Sequence, residues 1–252
     1  MITIVSIASL GACNLDSSLP QHASDASADV ADAGPDGTTD GSAMFADDFE
    51  AYARGTALPG QGGWHAHALT MAPVMLAAGN GLGSTVLSGI TRTGDGSYTA
   101  GNFPAMMHAL PRRLRPADKA TLSVDAYAFT SHRSHAAGAS LAAPDLSVFV
   151  GWQAAWYLVP DREQAKWRFD CPGGSIIFHG AFDELVRLEA IVDGAAGMTY
   201  GRITHSGGVF ETPHCPITPT QIANLTEVVL TEDFRDSSYL GLEYDNVHVV
   251  IQ

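Results

Sequence analysis

Apolar and polar residues alternate one by one in several short stretches of the chain. In TLSVDAYAF (121–129) the apolar side chains occupy every second position from Leu122, which is the period of a half-buried β-strand. LVRLEAIVDG (185–194) has the same alternation, and its Asp-Gly end leads into MTYGRITH (198–205). These two segments together predict a β-hairpin.

Further segments have the same β-strand character: DLSVFVGW, KWRFD, SIIFHG, EVVLT and LEYDNVHVVIQ. A sustained helical period is rare, although TPTQIANLTE (218–227) is long enough for one or two helical turns. Many short strands separated by Gly, Pro and Asp-Gly turns are typical of a sandwich or barrel. We therefore expect an all-β fold, an antiparallel β-sandwich, over residues 44–252.

The first 43 residues have a different character. Residues 2–12 are mostly apolar, but a bilayer span needs about 20 such residues, so the segment fits an export signal better. Residues 14–43 contain no Lys or Arg and carry six aspartates, at positions 16, 25, 29, 32, 36 and 40. Such a segment buries too little apolar surface to offset the entropy of ordering. The predicted organisation is a signal peptide at 1–12, a disordered acidic tether at 13–43, and the sandwich at 44–252.

The tetrapeptide Leu10-Gly11-Ala12-Cys13 resembles the lipobox of bacterial lipoproteins. The resemblance implies cleavage before Cys13, acylation of Cys13, and a lipid anchor in a membrane. Asn14 in place of an aspartate favours the outer membrane over inner-membrane retention, with the domain on the periplasmic face or the cell surface. Basic residues are missing before the apolar run, which departs from the family pattern. The alternative is an N-terminus in which the cysteine occurs by chance.

The charge of the chain argues against a nucleic-acid partner. The formal net charge is -14, and phosphate contacts need a surplus of lysine and arginine. One basic cluster occurs in LPRRLRPADK, with Arg112, Arg113, Arg115 and Lys119. Because prolines surround it, we interpret it as a solvated turn before a strand.

Two cysteines remain if Cys13 is acylated. Cys171 and Cys215 lie in FDCPGG and PHCPIT, each followed by proline. In an exported protein an even pair of cysteines is a candidate disulfide. Two unpaired thiols or a redox site are the alternatives.

The two ends of the 44–252 region carry a second resemblance. FADDFEAYARGTALPGQGGW (45–64) and YDNVHVVIQ (244–252) resemble the first and last strands of concanavalin A-like (LamG-like) lectin and glucanase jelly rolls in bacterial surface proteins. The resemblance implies a jelly roll in which the last strand lies near the first. It also implies a lectin-like domain that recognises a glycan or another cell-surface molecule without catalysis.

Acidic residues at both ends suggest a structural calcium site. Asp47 and Asp48, with Glu50, lie in the first segment, and Asp245 and Asn246 lie in the last. Oxygen ligands from neighbouring strand ends suit Ca²⁺. The alternative is that these acids are exposed and prevent the sheet edge from pairing with other chains.

Aromatic residues are the candidates for a glycan platform. We name Trp64, Trp152, Trp156 and Tyr157, because sugars stack on exposed Trp and Tyr rings. Burial in the core of the sandwich is the alternative for each of them.

The sequence assigns no catalytic residues. Jelly-roll glucanases carry Glu-x-Asp-x-x-Glu on one strand, and here Glu243 and Asp245 are followed by His248 at the third position. A lyase site could combine Tyr127, His179, Arg187 and Gln153, although the local motifs of that family are absent. Polysaccharide lyase or glycoside hydrolase activity is thus the first alternative to glycan binding. A structural or adhesive surface protein without a small ligand is the second.

Overall fold

The computed structural model describes residues 42–67, 75–77, 82, 86–88, 105–128, 137–159, 162–180, 182, 184–232 and 242–252. Residues Asp40–Gln252 form one compact unit. The described residues form strands β1 (Ala43–Asp47), β2 (His65–Ala66), β3 (Met75–Ala77), β4 (Val86–Ser88), β5 (Ala105–Ala109), β6 (Lys119–Ala128), β7 (Ala137–Ala142), β8 (Phe149–Val159), β9 (Arg162–Cys171), β10 (Gly174–Phe178), β11 (Leu185–Asp193), β12 (Met198–His205), β13 (Gly208–Glu211) and β14 (Cys215–Pro216), then helix α1 (Pro219–Asn224), β15 (Glu227–Glu232) and β16 (Leu242–Ile251).

The strands form two antiparallel sheets. Sheet A has the order β13-β12-β11-β6-β16-β4-β3, with β1 also paired to β16 and β14 to β12. Sheet B has the order β10-β9-β8-β7-β15-β5-β2. The expected all-β sandwich is confirmed. The 185–205 hairpin is confirmed as β11 and β12, and the first strand does pair with the last, since Ala43 lies opposite Ile251.

The predicted alternation places the apolar faces toward each other. Leu122 and Val124 on β6 and Val186 and Leu188 on β11 are each at most 2% exposed. Sheet B contributes large rings from β8 and β9, and all of these residues belong to one core cluster. The core therefore lies between the sheets, and the intervening polar residues of each strand define an outer face on each sheet.

Two hydrogen bonds from aromatic side chains and one close approach at a glycine tie sheet B to sheet A. Trp152 Nε1 donates to the carbonyl of Glu189 across the core, at 2.9 Å. Tyr244 Oη lies 2.7 Å from the carbonyl of Thr231 in the opposite direction. Gly201 makes room for the rings, because a Cβ there would lie 2.4 Å from Phe169 and 2.8 Å from Trp152. These contacts fix the spacing of the two sheets.

The disulfide prediction is confirmed. Cys171, at the end of β9 in sheet B, is bonded to Cys215 on β14 in sheet A, and the sulfurs are 2.04 Å apart. The bond thus links the two sheets covalently. In the described part of the chain, no helix has the length and apolar character required to cross a membrane.

Candidate functional site

A shallow groove lies at one end of sheet B, where three strand ends meet. Glu227, the first residue of β15, pairs with Ala109 at the end of β5 and with Ala142 at the end of β7. The chain leaves both of these strands beside Glu227, so residues distant in sequence gather there. We call this feature the end groove and define it by Arg113, Asp145, Ser147, Asn224, Thr226 and Glu227.

The end groove has two parts that share Arg113 and Thr226. The larger part has a volume of about 500 Å³ and includes Asp145, Ser147 and Asn224 in its lining. The smaller part has a volume of about 300 Å³ and includes Glu227 and Arg112. Both volumes are in the range of small-ligand sites.

The turn between β7 and β8 forms one wall. Asp145 accepts hydrogen bonds from Ser147 N at 3.0 Å and from Ser147 Oγ at 2.6 Å. These bonds lower the pKa of Asp145. Leu146 has a left-handed φ of 59°, which is uncommon for a residue with a side chain, and it packs on a small apolar cluster that includes Val229. The turn is therefore held in one conformation by its own hydrogen bonds and by this contact.

Helix α1 forms the second wall. Thr218 Oγ1 accepts from Gln221 N and the Gln221 side chain accepts from Thr218 N, which makes a capping box with Pro219 at the first helical position. Ile222 is 1% exposed and Leu225 is 0% exposed, and both belong to the main core. Burying that face leaves Asn224 exposed at the groove.

The basic turn after β5 forms the third wall. Both guanidinium nitrogens of Arg112 donate to Asp118, one of them at 3.2 Å, and Arg115 N donates to the same carboxylate at 2.6 Å. Burial raises the pKa of Asp118, but the hydrogen bonds from Arg112 and Arg115 outweigh it and leave the pKa below its usual value. This pairing fixes the turn and leaves Arg113 exposed at the rim of the groove.

Two residues that line the groove each carry a buried polar atom. Thr226 Oγ1 and Glu227 Oε2 are the two buried side-chain oxygen or nitrogen atoms of the described residues that have no hydrogen-bond partner. Burial raises the pKa of Glu227, while the charges of His65 and His108 act in the opposite direction. Buried polar atoms are nearly always hydrogen-bonded, so each of these oxygens is a position where a water molecule or a ligand group would lower the free energy of the folded domain.

The four candidate platform residues do not form a platform. Trp64 and Trp152 are each 1% exposed, and their indole nitrogens donate to Asp47 and to the carbonyl of Glu189. The prediction that these two tryptophans bind glycan is wrong, because both rings are core residues. Trp156 and Tyr157 lie on β8, and their side chains lie outside the described residues.

The expected calcium site does not form from the residues named for it. Asp47 lies opposite Val247 and faces the core, where its carboxylate accepts from Phe49 N at 2.8 Å, Tyr52 Oη at 2.6 Å and Trp64 Nε1 at 2.8 Å. Asp245 lies opposite Asp125 on the other face of sheet A. The two carboxylates therefore cannot share an ion.

The other two predicted calcium ligands, Asp48 and Asn246, make hydrogen bonds within the protein instead. Asp48 is exposed, and its Oδ1 accepts from Glu50 N at 3.2 Å. Asn246 has a left-handed φ of 49° at a bulge in β16, and its Nδ2 donates to Asp125 at 3.0 Å. Among the described residues, no group of three or more His, Cys, Asp or Glu side chains is arranged to hold a metal ion.

The residues proposed for a lyase site do not converge. Gln153 alternates with the buried Trp152 and Ala154, so it lies on the outer face of sheet B. Arg187 alternates with the buried Val186 and Leu188, so it lies on the outer face of sheet A. These two side chains are therefore on opposite sides of the sandwich and cannot act on one bond.

Gln153 instead takes part in a polar cluster on sheet B. Arg168 donates to Gln153 Oε1 at 2.6 Å and to Asp170 at 2.9 Å, and Ser175 Oγ donates to Asp170 at 2.5 Å. Burial raises the pKa of Asp170 despite these partners. The cluster cross-links β8, β9 and β10.

Comparison with known proteins gives the fold a name. No family model matches the sequence, and no curated protein matches it. Solved structures do match: peanut lectin with a nine-residue peptide, at a TM-score of 0.58 and 8% identity over 84% of this chain and 98% of that chain. The lectin from Bauhinia forficata in complex with GalNAc matches at a TM-score of 0.58 and 8% identity, over 84% and 99% of the two chains. The metal-free form of lectin I-B4 from Griffonia simplicifolia matches at a TM-score of 0.57 and 8% identity, over 83% of this chain and 99% of that chain.

The fold is a concanavalin A-like jelly roll. The coverage shows that the likeness extends over nearly the whole of each lectin and over the sandwich of this chain. An identity of 8% carries no residue roles from those lectins to this chain.

Sequence reasoning did not find the end groove. It identified the basic turn and the helical turns at 218–227, which are two of its walls. The position that matters most, Glu227, is the first residue of a mostly apolar strand, and that placement was the available signal of a buried acid.

Proposed function

We propose that this jelly roll is a lectin-like, non-catalytic recognition domain that binds a glycan in the end groove. The observation that carries the proposal is a groove of small-ligand size with a mixed polar lining, in which two lining residues, Thr226 and Glu227, each carry a buried oxygen without a hydrogen-bond partner. Their burial without partners is costly to the folded domain, and a bound ligand that donates hydrogen bonds would offset that cost.

The lining suits a saccharide better than an apolar ligand. Glu227 and Asp145 present acceptors, Arg113 presents donors, and Asn224 and Ser147 present both. Sugar hydroxyls also donate and accept, so they match such a mixed lining. The groove is shallow and open, which leaves room for a chain of sugar units to extend beyond it.

The lectins of the same fold supply the first probes. One is in complex with GalNAc and another, UEA-II, with galactose. Those sugars are tested here because the fold is shared, and the lining of the end groove decides which sugar binds.

A glycan array tests the proposal directly. Residues Asp40–Gln252, which form one compact unit, are applied to the array with calcium and with a chelator. We expect a restricted set of saccharides to bind in both conditions, since no metal-holding group occurs among the described residues. A double variant, Thr226→Val with Glu227→Gln, should abolish the signal, and a domain that binds no saccharide would refute the proposal.

We propose further that Cys13 is lipidated and anchors the domain to the outer membrane. The lipobox-like tetrapeptide and the acidic segment after it support this. Residues 1–41, including Cys13 and nearly all of the 13–43 tether, lie outside the described part of the chain. Mass spectrometry of the mature N-terminus should find an acylated cysteine, and Cys13→Ala should release the protein from membranes. An unmodified, uncleaved N-terminus would contradict the anchor and leave the glycan proposal intact.

A further inference from the structure

His108 on β5 contacts the segment between β1 and β2, residues 48–64, at the end of sheet B. Its Nε2 lies 3.0 Å from the carbonyl oxygen of Gly62, and its Nδ1 lies 2.7 Å from the carbonyl oxygen of Ala109. Gly63 permits this close approach, because a Cβ there would lie 2.8 Å from His108 Nε2. The two nitrogens of one ring thus bridge two separate parts of the backbone.

The chemistry of these two contacts decides the charge of the ring. A carbonyl oxygen accepts hydrogen bonds and has no proton to donate. Neutral imidazole carries a single N–H, so in that form one of its nitrogens would turn a lone pair toward a carbonyl oxygen. The imidazolium carries a proton on both nitrogens and donates to Gly62 and Ala109 at the same time. In this arrangement the ring of His108 is therefore charged.

The aromatic neighbours of the ring suit a positive charge. Phe45 is stacked on His108, with the ring centroids 3.9 Å apart and the planes at 24°. The centroid of the Trp64 ring lies 5.3 Å away, at an interplanar angle of 64°. The face of an aromatic ring attracts a cation at such distances. Protonation of His108 therefore strengthens its contact with Phe45 as well as its two hydrogen bonds.

Titratable groups on three neighbouring strands lie around this ring. Glu227 at the start of β15 interacts with the charges of His108 and of His65 on β2. Asp47 at the end of β1 accepts from the indole nitrogen of Trp64, whose ring contacts His108. The ionised carboxylates attract the imidazolium, whereas a charged His65 repels it. A test of His108 must therefore separate its titration from those of Glu227 and His65.

We propose that His108 is a pH-sensitive clasp that fastens the 48–64 segment to β5. While the ring is charged, it holds the carbonyl groups of Gly62 and Ala109 together. When the ring loses a proton, one of the two hydrogen bonds is lost, and the segment opens more often. The clasp is thus closed in acid and loosens as pH rises through the range in which the ring titrates. This inference concerns the order of the segment and does not depend on glycan binding.

NMR of the histidine ring nitrogens tests the charge of the ring in residues Asp40–Gln252, the compact unit. At about pH 5, below the ordinary histidine pKa of about 6.5, both ring protons of His108 should be visible and protected from exchange with water. His65 is the internal comparison, because it is exposed and its ring protons should exchange too fast to be seen. Ring protons of His108 that exchange as fast as those of His65 would overturn the proposal.

Backbone hydrogen exchange tests the opening of the segment. The amides of Gly60 and Trp64 are the probes, because both are hydrogen-bonded within the segment on either side of Gly62. His108→Gln offers donors at one nitrogen only and does not titrate, so it imitates the neutral ring at every pH. At about pH 5 both amides should exchange about five- to tenfold faster in His108→Gln than in the wild type. At about pH 8 the two proteins should agree within about twofold.

Two control variants assign the pH dependence. His65→Gln removes the other histidine near Glu227, and Glu227→Gln removes the titration of that carboxyl. Both should keep the slow exchange of the wild type at about pH 5 and its acceleration relative to that state at about pH 8, after correction for the intrinsic exchange rate. Thermal unfolding of each variant confirms that it is folded.

The remaining outcomes also decide the question. A ratio of exchange rates between His108→Gln and the wild type that is the same at both pH values would show a purely structural role for His108 and would overturn the clasp. A pH dependence that disappears in Glu227→Gln or in His65→Gln would assign it to that residue and would overturn the clasp as well.

Discussion

Trp64 Nε1 donates to Asp47 Oδ2 over 2.8 Å, and this bond connects the first strand to a loop residue 17 positions later. The same carboxylate oxygen accepts from Tyr52 Oη, and the other oxygen accepts from Phe49 N. Asp47 thus organises the segment between β1 and β2 around one carboxylate. The shared hydrogen bond also helps burial to raise the pKa of Tyr52.

Replacing Asp47 with Asn should destabilise the domain by about 2 kcal/mol. In either orientation the amide nitrogen of Asn would face a donor, because Trp64 and Tyr52 both donate to one carboxylate oxygen and Phe49 N donates to the other. Urea unfolding of the two proteins measures the difference, with the exposed Asp48→Asn as the matched control, for which we expect little change. The cost of Asp47→Asn should be the same with and without calcium, because the carboxylate accepts three hydrogen bonds inside the fold. A calcium-dependent midpoint that Asp47→Asn abolishes would restore the metal interpretation of this residue.

The fold was predictable because alternation directly reports which face of a strand is buried. Leu122 and Val124, and likewise Val186 and Leu188, lie in the core as their spacing indicates. The role of Asp47 was not predictable in the same way. Whether a carboxylate accepts bonds from its own chain or binds an ion depends on where Trp64 folds back, and spacing alone does not contain that distance.

The candidate site was less predictable than the fold. Glu227 meets Ala109 and Ala142 through pairing across more than 80 residues of sequence. Each wall of the groove has a local explanation, such as the capping box at Thr218, but the groove exists because β5, β7 and β15 are neighbours. Trp152 was misassigned for a related reason. An aromatic residue on a strand can lie on the inner or the outer face of the sheet, and the sequence alone does not say which until the strand register is known.

Gly201 should be intolerant of a side chain. A Cβ at this position would lie 2.4 Å from the ring of Phe169, in a core where Trp152 is also within 3 Å, at 2.8 Å. We expect Gly201→Ala to cost about 1–3 kcal/mol through overpacking, measured by chemical denaturation. Gly173→Ala is the control, because its Cβ would meet nothing closer than Pro216 at 3.7 Å. Equal stability of both variants would show that the sheets are not held at this spacing.

The Cys171–Cys215 bond should contribute about 4 kcal/mol to stability in the chain-entropy model, since it closes a separation of 44 residues. Replacing both cysteines with Ala should lower the unfolding free energy by that order. Reduction of the wild type should lower it similarly and should leave the double variant unaffected. If a reductant destabilises the double variant equally, its effect is unrelated to this bond.

The Arg112–Asp118 pair should give stability that disappears in acid. The pKa of Asp118 is lowered in the folded state, so its contribution is fully present above the ordinary value of 3.8 and is lost as pH falls through the folded value. Asp118→Asn should therefore be less stable than the wild type at neutral pH, and the difference should vanish in strong acid. A difference that is the same at every pH would mean that the charge of Asp118 is not what stabilises the turn.

Glu227 should have the opposite effect on stability as a function of pH. Burial raises its folded pKa above the ordinary value of 4.5, so the unfolded chain releases this proton first as pH rises. Stability from this group therefore falls as pH rises from 4.5 to the folded pKa and is constant above that value. Glu227→Gln cannot titrate, so it should match the wild type in acid and exceed it in stability at neutral pH. Unfolding curves of both proteins across that pH range, in the absence of any saccharide, measure the difference in stability.

Asp170 also has a raised pKa, so the pH dependence of the wild type alone would not assign the change in stability to Glu227. The difference between the wild type and Glu227→Gln does assign it. A wild type that stays ahead of Glu227→Gln at neutral pH would show that this carboxylate has a favourable partner in the folded domain, contrary to the groove described here.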